Sequence, residues 1–79
     1  MARRKAVNEI SFVILGKNLE TVLLEAGSTV QDLLDELDYR LGASEVVHVN
    51  GDRIENTRDV ELEDGDQVVI STKKDAGLN

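Results

Sequence analysis

At 79 residues the chain is one domain with room for one modest core, and a hydrophobic fraction of 41% beside 32% charged residues excludes wholesale disorder. Sixteen Asp and Glu against nine Lys and Arg give a formal charge of -7, which repels phosphate backbones. With Phe12 and Tyr39 as the only aromatics there are no stacking platforms for single-stranded nucleic acid, and with no cysteine there is no disulfide framework, thiolate metal site or thiol nucleophile.

Residues 1–8 read as a disordered basic tail, in which Arg3-Arg4-Lys5 is a solvated end. The start of the chain has charge but no apolar core of a signal peptide, and nowhere does an apolar run approach the ~20 residues of a membrane span. These features set the expectation of a cytoplasmic monomer that meets protein partners, with no nucleic acid and no membrane.

Residues 10–15, Ile-Ser-Phe-Val-Ile-Leu, form the first expected strand and stop at Gly16-Lys17-Asn18. Ile10, Phe12 and Ile14 fall on one side of it, and Ser11, Val13 and Leu15 on the other. A second strand over 19–25 completes an N-terminal hairpin before Ala26-Gly27. Ser28 followed by Gln31 predicts a capping box opening the helix, whose apolar stripe is Val30, Leu33, Leu34, Leu37 and Leu41 and whose stop is Gly42. Asp32 complements the dipole in the first turn, while Asp35, Glu36 and Arg40 lie mainly on the wet side. Tyr39 is expected to cap the core edge with its hydroxyl exposed.

The second half organises the fold. A strand ending at Val49 meets Asn50-Gly51, a turn whose central residues both need positive φ, then a short strand through Arg53-Ile54. Glu63-Asp64-Gly65-Asp66 is a further turn delivering the last strand, Gln67-Val68-Val69-Ile70. The order β-β-α-β-β-β makes an α+β roll: a mixed sheet of four to five strands with one helix packed on one face. The first and last strands, being the most apolar, should be neighbours in its middle. The expected core is Ile10, Phe12, Ile14, Val30, Leu33, Leu34, Leu37, Val47, Val49, Val68 and Ile70, which assigns 9–72 to the folded domain and 73–79 to a flexible tail.

The chemistry is sparse. His48 is the only histidine and lacks a second ligand at zinc spacing. The carboxylates Glu61, Glu63, Asp64 and Asp66 lack the alternating ligands and late bidentate Glu of a calcium loop, so Asp-Gly-Asp is turn chemistry. No nucleophile arrangement, phosphate-cradling glycine loop or catalytic carboxylate pair can be assembled, and the chain is read as a non-enzyme with no catalytic residue, no metal and no cofactor.

Three stretches in this order resemble the β-grasp family of small sulfur carriers and ubiquitin-like modifiers, typified by the thiamine and molybdopterin sulfur carrier proteins. They are Ala26-Gly27-Ser28-Thr29-Val30 with Leu33-Leu34 and Leu37, Val47-His48-Val49-Asn50-Gly51, and Leu62-Glu63-Asp64-Gly65-Asp66-Gln67-Val68. The resemblance spans residues 10–77 and implies a β-grasp, ubiquitin-like roll. Family members that carry sulfur end in Gly-Gly, and an ATP-using activating enzyme adenylates that carboxylate before it becomes a thiocarboxylate or is joined to a lysine. Ala76-Gly77 stands where the Gly-Gly belongs, with Ala in place of the first Gly and Leu78-Asn79 following the second.

Two functions follow. One is a sulfur carrier or protein modifier, made as a precursor, trimmed by a protease after Gly77 and activated there. The other is a non-catalytic β-grasp interaction module that has lost the carrier chemistry. In either case Val13, His48, Val69 and Ser71 should line the sheet face away from the helix and form the partner-binding surface.

Overall fold

The computed structural model describes residues 6–72. The expectations for Arg3-Arg4-Lys5, for residues 73–79 and for Ala76 and Gly77 lie outside the described residues, whereas Val7 and Asn8, expected in the N-terminal tail, belong to the first strand. Six elements follow in chain order: β1 Val7–Ile14, β2 Glu20–Glu25, α1 Val30–Glu36, β3 Glu45–Val49, β4 Asp52–Ile54 and β5 Gln67–Thr72. The five strands form one sheet in the order β2-β1-β5-β3-β4. β1 and β5 lie side by side and parallel, and every other pairing is antiparallel, so the expected mixed α+β roll with its first and last strands adjacent is what forms. β1 begins at Val7, three residues before the expected Ile10, because Val7, Asn8 and Glu9 pair with Glu25, Leu24 and Leu23.

Strand alternation sorts the apolar residues. Ile10 and Phe12 from β1, Val22 and Leu24 from β2, Val47 from β3 and Val68 and Ile70 from β5 are buried against Val30, Leu33 and Leu34 of α1. Of the expected core, Ile14, Leu37 and Val49 are only partly buried at its margin. Val22, Leu24 and Leu62 belong to the core and were not expected there. Leu62 is 1% exposed although it lies between elements, because the loop after β4 folds under the start of the helix.

That loop also corrects the helix cap. Thr29, one residue later than expected, is the N-cap; its side chain accepts from the Asp32 backbone N–H, and the Asp32 carboxylate accepts from the Thr29 N–H at 2.8 Å. Gln31 is engaged elsewhere, accepting from the Thr57 hydroxyl at 2.6 Å and donating to Asp35 at 3.0 Å. The Val30 and Gln31 N–H groups, which no helical carbonyl could satisfy, donate to the carbonyls of Val60 and Thr57.

The helix ends at Glu36, with Leu37 as its C-cap, rather than running to Gly42. Asp38 takes a positive φ of 54°, its N–H returning to the Asp35 carbonyl and that of Tyr39 to the Leu34 carbonyl, the paired bonds of a Schellman stop. Leu41 therefore packs at the core margin from a loop rather than from a helical stripe. The Tyr39 hydroxyl is not free: it donates to both Glu45 carboxylate oxygens at 2.7 and 2.8 Å, while its ring meets Phe12 edge-on at 6.2 Å between centroids.

Candidate functional site

The strand registers bring three of the four expected partner-face residues into one row. Val13 of β1 pairs with Val69 of β5, Val69 with His48 of β3, and His48 with Arg53 of β4. Directly paired residues share a face, and Ile14, Ile70, Val47 and Ile54 form the next row on the opposite, helix-bearing side. Val13, Val69 and His48 are each half-buried and Arg53 is exposed, leaving an apolar centre with a basic end. Ser71 shares the face by pairing with Val46, but both are buried and offer a partner little surface. Arg53 was not expected, since only the β3–β4 register reveals that it extends the row; the Asn50-Gly51 hairpin was the available signal.

Turn chemistry fixes this row. Asn50 and Gly51 adopt φ of 52° and 90°, joining Val49 to Asp52 by a two-residue hairpin that sets His48 opposite Arg53. Asn50 also donates to Asp66 and accepts from the Gln67 N–H, both at 2.9 Å, tying that hairpin to the start of β5. Around Gly65 (φ 91°), Asp66 accepts from the Glu63 N–H and Asp64 from the Glu9 N–H. The carboxylates thus satisfy backbone donors, and among the described residues no group of them could hold a metal ion.

The second feature is a clasp at the helix end. Glu45 accepts from the Gly42 N–H at 2.8 Å as well as from Tyr39. Those bonds, the Gly42 one foremost, hold its carboxyl below the usual range against the opposing effect of burial. Burial first, then the bond and charge of Glu45, push the Tyr39 phenol up to about 12. The clasp fixes the loop from α1 into β3, the strand that presents His48.

Among the described residues no helix is long and apolar enough to cross a membrane. Residues 7–71 match the family model described as the ThiS family. The chain belongs to the ThiS family. The match covers the whole roll from β1 to the penultimate residue of β5, and it accords with the resemblance drawn from the three sequence stretches. ThiS-family proteins are small sulfur carriers rather than catalysts, and they generally work with adenylating enzymes. A comparison with curated proteins found no match.

Proposed function

We propose that this ThiS-family chain is a sulfur carrier or protein modifier trimmed after Gly77 and activated at the carboxylate so formed. The observation that carries this reading is the position of β5, which places Val69 in the middle of the accessible row and ends at Thr72. Gly77 follows five residues later, so its carboxylate has a reach of at most ~18 Å beyond the sheet. A partner seated on Val13, Val69, His48 and Arg53 can hold the sheet and receive the tail at once. Ala76 adds one methyl group to a slim chain end, whereas Leu78 and Asn79 carry larger side chains into any channel sized for glycine.

In the reaction, the Gly77 carboxylate oxygen attacks the α-phosphorus of ATP, forming an acyl adenylate as the bond to pyrophosphate breaks. A sulfur nucleophile then attacks the acyl carbon and expels AMP. Both steps use groups of the activating enzyme; the carrier supplies the carboxylate and the surface that positions it. The interaction-module reading is favoured by Ala76 and by the residues after Gly77.

Incubating the 79-residue chain and a form ending at Gly77 with ATP and the host's adenylating enzyme separates the two. Intact mass should reveal adenylate or thiocarboxylate on the truncated form alone. Failure of both forms, with an enzyme shown to act on its own carrier, supports the interaction module.

A further inference from the structure

β2 is an outer strand of the sheet, and among the described residues only β1 pairs with it. Its backbone direction is fixed by Ala26, whose N–H donates to the Ala6 carbonyl at 2.9 Å. Antiparallel pairing alternates, so Glu20, Val22 and Leu24 turn their backbone groups toward β1, and Thr21 and Leu23 turn theirs outward. An open edge is usually guarded by proline, lysine or a bulge, and β2 contains no proline or lysine. Leu23 is 65% exposed, the largest exposure among the large hydrophobics of the described residues.

Beside this edge runs a groove of about 410 Å³ between β2 and α1, lined by Leu23, Leu24, Glu25, Asp32, Asp35 and Glu36 with Ser28. Among the described lining residues Leu23 and Leu24 are apolar, Glu25, Asp32, Asp35 and Glu36 carry carboxylates, and none is basic. We propose that this edge and groove form a second docking site, separate from the Val13–Val69–His48 row, for an extended segment of a protein partner in which apolar residues alternate with Lys or Arg. The segment adds to β2 as a sixth strand, bonding the Thr21 and Leu23 backbone. On the sheet face that carries Leu23 its apolar side chains meet Leu23, and on the helix face its cations meet Asp32, Asp35 and Glu36. Charge argues against a second copy as occupant, because pairing β2 with β2 would bring two acidic helix faces to one seam.

The test needs no activating enzyme, so its outcome is independent of the carrier reading. The isotope-labelled full chain is titrated with a capped heptapeptide alternating lysine and valine, with its glutamate–valine counterpart as control. The site predicts saturable amide shifts at Thr21, Leu23, Asp32 and Asp35 with the lysine peptide only, slowed hydrogen exchange at Thr21 and Leu23, and weakening at higher salt. The double variant Asp35→Asn, Glu36→Gln should weaken binding by ~5-fold. Leu23→Lys, at an exposed position that leaves the core intact, should abolish the shifts.

Shifts centred on Val13, His48 and Val69, or none up to millimolar peptide, overturn the proposal. So do concentration-dependent shifts at β2 without peptide, which would make the occupant a second copy. Binding seen only after deletion of residues 1–5 would make it the chain's own Arg3-Arg4-Lys5.

Discussion

The two faces of the sheet are built from the same strands but solve different problems. On the helix side, Ile10, Phe12, Val22, Leu24, Val47, Val68 and Ile70 enclose α1 and Leu62 in one apolar core. On the other, the cross-strand row runs Val13, Val69, His48, Arg53 and remains accessible. Adjacent residues of one strand thus serve opposite ends: Val68 is fully buried and Val69 half-buried. The inner face is held by volume and the outer by register, so errors in the two should be felt differently. A lost methyl group damages the first, and a one-residue slip destroys the second.

The largest contrast should come from removing a leucine on either side. Leu62→Ala leaves a cavity under the helix start and should cost ~2 to 5 kcal/mol, a large share of the stability of so small a domain. Leu23→Ala, on the exposed side, should stay within ~0.5 kcal/mol. Urea melts of both variants check the pair, and comparable losses would show that the two faces are not energetically distinct.

A smaller effect is expected at the clasp. Tyr39→Phe keeps the ring against Phe12 but removes the hydroxyl from Glu45, at a cost of ~1 kcal/mol. The difference from the unsubstituted chain should vary with pH. Glu45 has a lowered folded pKa, so its contribution is present above the ordinary value of ~4.3 and is lost as pH falls through the folded one. Tyr39 is raised to about 12, so its contribution is full below its ordinary value of ~10 and is lost as pH rises toward the folded value. The gap between the two chains should be widest between those limits and narrow at both ends, as denaturant melts across pH would reveal. A gap independent of pH would mean that the pair does not titrate as described.

The smallest effect is a gain. Asp38 adopts the left-handed φ that glycine reaches without strain, and Asp38→Gly should stabilise by ~0.5 kcal/mol, seen as a slightly higher melting temperature.

Much of the roll was legible because its signals are local. Asn50-Gly51 and Asp64-Gly65-Asp66 specify turns by their own backbone needs, and alternation in residues 10–14 separates the two faces. The errors lie where a distant segment decides. Thr57 takes Gln31 away from the cap, and the loop carrying Val60 and Leu62 satisfies the helix start and enters the core, none of which has a period to read. The helix stripe overran its true end because Leu37 and Leu41 keep helical spacing on either side of the Asp38 stop. On the outer face, alternation found Val13, His48 and Val69, but Arg53 required the register and the burial of Ser71 its neighbours.

The most direct test of the account joins its outer face to its chain end. In the form ending at Gly77, Val69→Arg places a bulky charge in the centre of the row while leaving the inner core untouched. With the host's adenylating enzyme, kcat/KM for adenylate formation should fall by ~10-fold or more while the melting temperature changes little, as expected for the centre of a docking surface. An unchanged kcat/KM on a folded Val69→Arg variant would contradict the claim that this face seats the carrier while its tail is activated.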